Sequence, residues 1–371
     1  MEKMKRAMNC LLAFLILSGL SLVGAEEAGV TLNISAPVSQ QVFQRDAQDH
    51  ADIRLCGSVN SGVDVVEAKA ELLPGATRGK GTDWVVIAKI GQIAREGGFA
   101  GTLSLQAGGW YMLTVRARKS AQVVAETAID KIGVGEVFVT AGQSNSANWG
   151  NPRQKAKDER VVYFDGKAYV PASDPIPGGC GGGGSPWSIL GDLIVKSQEV
   201  PICFRSASLT WTEVKNWMPP DTQLYKNLVQ CVRSFGTNGV RAVLWHQGES
   251  DSLAKTPAAT YSDRLTTITE ALNEDCGYQL PWFVAQASFH LGSKEPEQKE
   301  VAKGQRMLWE KKVAFQGPIT DDLLGATYRS GGVHFNQTGL DAHAQRWFDA
   351  LKKQFGWKSE EANKRDAGDG R

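Results

Sequence analysis

Residues 137–150 read VFVTAGQSNSANWG. Val137 to Ala141 is an apolar run rich in β-branched residues, as in a buried strand. It stops abruptly at Gly142-Gln143-Ser144-Asn145, a small polar cluster. A serine nucleophile needs that placement. A strand-to-loop turn, or a helix capped by Ser144, produces the same residues.

Working outward, the chain divides into two grammars. Residues 26–133 hold short β-rich runs separated by Gly, Asn, Asp and Ser: VTLNISAP, ADIRLCGSV, DWVVIAKI, FAGTLSLQ, WYMLTVRAR and QVVAETAI. That spacing predicts a small all-β sandwich of immunoglobulin or fibronectin type, with Trp110, Met112 and Val115 in its core. From residue 134 to 356, apolar strands alternate with helices. PICFRSAS, VRAVLWHQGES and PWFVAQASF read as strands. Helices are expected in DTQLYKNLVQCVRSFG, AATYSDRLTTITEALNED, EPEQKEVAKGQRMLWEKK and HFNQTGLDAHAQRWFDALKKQFG. The first of these has Leu224, Leu228, Val229 and Val232 on one face, a cap at Asp221 or Thr222, and Gly236 as its stop. This alternation predicts an α/β fold, a mainly parallel sheet with helices on both faces. Its sites lie at the carboxyl ends of the strands, where Ser144 and HQGES both fall. The glycine-rich loop 178–187 lacks the Gly-Lys-Ser/Thr ending of a phosphate loop. The tail 357–371 is polar and expected to be disordered.

The 371 residues include 41 basic and 40 acidic side chains, for a net charge of +1. That balance supplies no general field for nucleic acid or anionic membranes. Lys3, Lys5 and Arg6 precede the interrupted apolar run Leu11–Val23, and Val23-Gly24-Ala25 follows. This predicts a signal peptide over residues 1–25, cut after Ala25, and a secreted or periplasmic protein. The run is too short for a comfortable membrane span. After cleavage five cysteines remain, so at least one is expected to be unpaired or bonded to another chain. No Cys-x-x-Cys spacing is present, and no metal or other cofactor is expected.

Three clusters carry chemistry together. Ser144 sits in GQSN, Glu249 in WHQGESD, and His334 in VHFNQTG before the last helix. On these motifs, residues 135–356 resemble the SGNH hydrolase superfamily, in particular its sialate O-acetylesterase-like branch and the related sixth family of carbohydrate esterases. The resemblance implies a flavodoxin-like three-layer domain; a β-sandwich ahead of the catalytic domain also resembles some relatives. It implies a serine esterase that hydrolyses O-acetyl groups of carbohydrate, such as acetylated sialic acid or xylan, through an acyl-enzyme. The acetylated carbohydrate is the one partner expected.

Ester cleavage needs a nucleophile, a base and donors for an oxyanion. Ser144 is the expected nucleophile and His334 the base. The resemblance puts the Ser144 backbone N–H in the oxyanion hole, with the Gln247 side-chain amide where the superfamily often uses asparagine. A third donor normally comes from a Gly-Gly-Ser/Thr turn; Thr210-Trp211-Thr212 stands there, so Trp211 either offers its N–H or walls the acyl pocket. Gln143, Asn145 and His246 are further oxyanion or substrate-binding candidates, although His246 beside Trp245 also suits a packed histidine. His290 is read as pocket lining and His343 as structural. Trp149, Trp187 and Trp211 are candidates for stacking on sugar rings. Relatives usually carry Asp three residues before the histidine, and here that residue is Gly331. Glu249 is the first candidate to orient His334 and Asp251 the second. Two other readings stay open: a noncatalytic carbohydrate-binding protein on the same fold, favoured by Gly331, and a general short-chain esterase, opposed by the lack of a Gly-x-Ser-x-Gly elbow.

Overall fold

The computed structural model describes residues 29–357 except 61, 95 and 96. The expected signal peptide and almost all of the expected polar tail lie outside the described residues. The amino-terminal part holds β1 (Leu32–Ala36), β2 (Val42–Gln44), β3 (His50–Val59), β4 (Val65–Leu72), β5 (Val85–Lys89), β6 (Gly98–Gln106) and β7 (Tyr111–Lys119). Strands β1, β3 and β6 form a three-stranded antiparallel sheet. Strand β4 pairs antiparallel with β5 and β7. Ile53, Leu55 and Leu103 from the first group share one core with Val66, Ala68, Leu113 and Val115 from the second.

In β7 the buried residues are Tyr111, Leu113, Val115 and Ala117, while Met112 is only partly buried. The expectation that Met112 shares the core with Val115 is therefore corrected. Side chains alternate across a strand, so positions 112 and 115 lie on opposite faces.

The next strand, β8 (Gln122–Gly142), is 21 residues long and runs straight through the change of sequence grammar. Its first half pairs antiparallel with β7. Its second half lies between β11 (Ile202–Ser206) and β12 (Ala242–His246), parallel to both. Before β11 come β9 (Val161–Phe164), β10 (Tyr169–Pro171) and helix α1 (Trp187–Gln198). After it come α2 (Gln223–Arg233), α3 (Glu249–Leu253), α4 (Ala258–Cys276), β13 (Trp282–Gln286), α5 (Glu295–Glu310) and β14 (Phe315–Ile319). The chain ends with the turn α6 (Gly325–Tyr328), the hairpin β15 (Arg329–Ser330) and β16 (His334–Phe335), and helix α7 (Gln337–Phe355).

The main sheet runs β10-β9-β11-β8-β12-β13-β14 and has 11 strands in all. From β9 to β14 every pairing is parallel. The sheet as a whole is mixed, because β10 is antiparallel and β8 carries β4, β5 and β7 along with it.

Alternation along β8 builds the layers. Phe138 points to the face covered by Leu190 and Ile194 of α1 and Trp347 and Leu351 of α7. Val137 and Val139 point to the face covered by Leu228 of α2, Leu265 and Ile268 of α4, and Val301 and Leu308 of α5. Thr222 caps α2, its hydroxyl accepting the Tyr225 N–H at 3.4 Å. Leu224, expected on the buried face, is only partly buried, and Tyr225 takes its place. Helix α1 was not expected from the sequence; the glycine-rich loop before it masks its start.

The amino end of this sheet is pinned by Glu136, a fully buried carboxylate. It accepts from Arg45 Nε at 2.8 Å, Arg241 Nε at 2.6 Å and Gln44 Nε2 at 2.9 Å. Burial pushes its carboxyl up, but the two guanidinium groups and these hydrogen bonds outweigh that and hold it below the usual carboxylate value. Its contribution to stability is therefore present above the ordinary carboxylate pKa and is lost as pH falls through the lowered folded value. Glu136→Ala leaves the buried Arg45 without its deepest partner. It is expected to cost about 3–5 kcal/mol, measured by urea unfolding.

Candidate active site

The polar clusters meet because β8 and β12 end side by side. Gly142 is the register partner of His246, and the Gln143 N–H donates to the His246 carbonyl at 3.0 Å. Gly142 has φ +131°, and a Cβ there would stand 2.0 Å from the His246 carbonyl oxygen. Only glycine permits this approach. The chain then turns into a short 3-10 helix, Ser144–Ser146. The Ser146 and Ala147 N–H groups donate back to the Gln143 carbonyl. Those of Ser144 and Asn145, at the helix start, have no acceptor within it. Ser146 is locked inward, bonded to the Ala141 carbonyl at 3.2 Å and the Ser208 hydroxyl at 3.0 Å. The side chains of Ser144 and Asn145 lie at the carboxyl end of the sheet. A separate cavity of about 640 Å³, lined by Arg45, Arg78, Arg241 and Trp357, lies at the amino end.

The loop after β12 is fastened to this turn by side-chain amides. Gln143 Oε1 accepts from the Ser250 N–H at 3.1 Å, the Gly248 N–H at 3.4 Å and Gln247 Nε2 at 3.2 Å. Gln247 Nε2 also donates to the Thr212 carbonyl at 2.8 Å and to Asp251 Oδ2 at 2.6 Å. The Gln247 amide is thus turned into the network that joins three loops. Asp251 is spent in the same way: it accepts from the Val214 N–H at 2.8 Å and the Thr256 hydroxyl at 2.8 Å. It is fully buried and forms no hydrogen bond with His334 among the described residues. Gln305 and the Tyr261 hydroxyl hold the same loop from α5 and α4, donating to the Gln247 carbonyl at 2.9 and 2.7 Å.

Glu249 opens α3 and is buried. Its Oε1 accepts from Asn145 Nδ2 at 3.0 Å and faces His246 Nε2 at 3.4 Å. Its Oε2 is buried with no partner among the described residues. Burial pushes this carboxyl up, but the bonds from His246 and Asn145 together prevail, and it is held below the usual carboxylate value. His246 is 1% exposed and sealed by Phe335 and His343. The expectation that it lines the substrate surface is corrected; it belongs to the packed interior behind Glu249.

His334 arrives on β16, which packs against the turn that carries Ser144. Asn145 Nδ2, already bonded to Glu249, also donates to the Val333 carbonyl at 3.4 Å. Arg329 Nη1 donates to that same carbonyl, and its Nε and Nη2 to the carbonyls of Leu323 and Thr320. Phe335 and Phe289 flank the guanidinium at 4.4 and 4.9 Å. This buried clamp on the hairpin that carries His334 was missed in the sequence, because an arginine bonded only to carbonyls leaves no motif. Burial lowers the His334 pKa, and Glu249 only partly counters it.

The exposed rim is apolar. Trp149 lies 5.3 Å from the His334 ring, and Trp211 5.7 Å from His290. Trp211 is 66% exposed and has φ +56°, an uncommon conformation for a bulky residue. Its loop is tied to the turn that carries Ser144 by the Leu209 N–H, which donates to the Gly142 carbonyl at 2.9 Å. Trp187 is fully buried and is excluded as a stacking platform; its indole donates to the Ser146 carbonyl at 2.8 Å. Cys56, Cys180, Cys203, Cys231 and Cys276 are free thiols.

The sequence matches a family of known chemistry. Residues 134–353 match the model described as carbohydrate esterase, sialic acid-specific acetylesterase. The chain belongs to this carbohydrate esterase family. It is a carboxylic ester hydrolase, and the family makes it an O-acetylesterase. No curated protein matches it in sequence. A carbohydrate acetylesterase from Xanthomonas citri superposes with a TM-score of 0.55 at 18% identity, covering 86% of this chain and 74% of that one. It shares the mixed α/β fold of this esterase. An Arabidopsis thaliana protein is similar over 59% of this chain and 97% of its own, at 20% identity and a TM-score of 0.47. A family two carbohydrate esterase from Cellvibrio japonicus is similar over 89% of this chain and 99% of its own, at 10% identity and a TM-score of 0.38.

Gly142→Ala tests the close approach that joins the two loops of this esterase. The added methyl must push β8 from β12 and adopt a strained φ. The variant is expected to lose about 1–3 kcal/mol of stability and most ester hydrolysis, by urea unfolding and p-nitrophenyl acetate turnover.

Proposed function

We propose that this esterase is exported and removes acetyl groups from carbohydrate through an acyl-enzyme on Ser144. His334 takes the Ser144 proton as the hydroxyl attacks the acetyl carbonyl. It returns that proton to the departing sugar oxygen. The Ser144 N–H stabilises the oxyanion. Water then attacks the acyl-enzyme, with His334 again the base, and acetate leaves. Glu249 is the acid that orients His334, its unpartnered Oε2 being the acceptor for the ring N–H.

One observation supports this reading most. The Asn145 amide bonds both Glu249 and the carbonyl preceding His334, so acid, base and nucleophile turn are joined through one side chain. Trp211 and Trp149 suit the apolar faces of a sugar ring beside that centre. The positive start and interrupted apolar run before Ala25 support export. Residues 26–133 are proposed as a β-sandwich accessory domain and 134–356 as the esterase domain.

Ser144→Ala is expected to abolish acetate release from p-nitrophenyl acetate and acetylated xylan, by about 10⁵–10⁶ in kcat, while its circular dichroism is unchanged. Unchanged turnover in that variant refutes the nucleophile; no acetate release by the wild type, on any acetylated sugar, would favour a binding protein. The base must be neutral to work, and burial lowers the pKa of His334. The acid limb of kcat/KM is therefore expected to have its midpoint below the ordinary histidine value, leaving activity in mildly acidic solution.

A further inference from the structure

Behind Glu249 lie two histidines that the proposed reaction does not use. His343 is fully buried on α7, and its ring centre stands 4.5 Å from that of His246. One turn further on, the Trp347 indole donates to His343 Nε2 at 2.9 Å. An indole N–H can only donate, so Nε2 of His343 must accept and its proton must sit on Nδ1. At the other end Glu249, held as a carboxylate, can only accept. His246 Nε2 therefore carries the proton in their 3.4 Å contact.

These two assignments leave one nitrogen on each ring. His343 Nδ1 is a donor, and in the Nε2–H tautomer of His246 its Nδ1 is an acceptor. Both are buried without a partner among the described residues. A buried donor and a buried acceptor left unpaired are each costly, and here they sit on adjacent rings. Phe335 packs 5.0 Å from His343 and 6.3 Å from His246, and Trp187 packs 6.4 Å from His343, so the pair is enclosed by aromatic side chains.

We propose that Trp347, His343 and His246 form a directed hydrogen-bond relay that ends on Glu249 Oε1, and that His246 and His343 are positioning residues for the acid. Each member donates toward the carboxylate: Trp347 to His343, His343 to His246, His246 to Glu249. The relay and the Asn145 amide occupy Oε1 and leave Oε2 for His334. It also fastens α7, which begins just after His334, to the loop that carries the acid. The catalytic part of this inference rests on the role of Glu249 proposed above; the tautomers do not.

Two measurements separate these parts. In the full chain with ¹⁵N-labelled histidine, two-bond proton–nitrogen spectra are expected to show His343 protonated on Nδ1 only and His246 on Nε2 only. A scalar coupling between the two Nδ1 nuclei is expected across the hydrogen bond. The opposite tautomer on either ring, or no coupling, overturns the relay. In kinetics on p-nitrophenyl acetate, His343→Leu is expected to lower kcat about 10–100-fold with KM unchanged, the range seen for outer partners of functional histidines. His343→Gln, which can accept from Trp347 and donate onward, is expected to recover part of that loss. Equal kcat in wild type and a folded His343→Leu overturns the positioning role. If Glu249→Gln also leaves kcat intact, the acid assignment itself falls, whatever the tautomers are.

Discussion

The parallel closure of β8 on β12 is the contact on which the site depends. Two strands whose ends diverged by even one residue would separate Ser144 from Glu249. Here Gly142 gives up its side chain so that the two backbones touch, and the Gln143 N–H seals the pair at the His246 carbonyl. Everything polar above this point is arranged from it. The Gln143 side chain crosses to the Gly248 and Ser250 N–H groups, and Gln247 reaches back and sideways to Thr212. Beneath it Trp245 packs between Trp217 and Trp282, at ring distances of 5.1 and 5.8 Å. Such a wall gives the loops above a rigid base, which a preorganised site requires.

Buried amides and buried acids divide the work. Asp251 and Glu249 are two residues apart on one loop, yet their surroundings push them in opposite directions. Asp251 is raised by burial despite its hydrogen bonds, while Glu249 is lowered. Both oxygens of Asp251 have partners, so it serves the loop. Glu249 keeps one oxygen without a partner among the described residues. Such an atom carries a standing cost unless a partner reaches it during function.

What could be read in the sequence follows from where each signal resides. The clusters around Ser144, Glu249 and His334 are contiguous in the chain and sit at strand ends, so their placement was legible. So were α2, α4, α5 and α7, whose helical pattern is local. Less legible was anything that depends on a partner distant in sequence. Arg329 looks like an ordinary surface arginine until the Thr320, Leu323 and Val333 carbonyls converge on it. Gln305 lies mid-helix, and only the fold brings it under the HQGE loop. Continuity of β8 was hidden because its first half alternates and its second half is wholly buried, so one strand reads as two.

Gly331 now has a physical explanation. It sits at the tip of the β15–β16 hairpin with φ +59°, and an added Cβ there would meet open space. A carboxylate at that position would begin in solvent, with no packed wall to hold it against the ring. The neighbouring Gly332, at φ +80°, is pressed against Leu291, so the hairpin tip is a tight turn built from two glycines. Arg329 then holds the hairpin through the Val333 carbonyl. Glu249, which opens α3 after β12, is held by Asn145 and His246. Placing the acid at Glu249, as proposed, exchanges a neighbour in sequence for a neighbour in space. The exchange succeeds only while α7 and β12 stay in register, and that is the constraint a chain of hydrogen bonds from Trp347 to Glu249 would enforce.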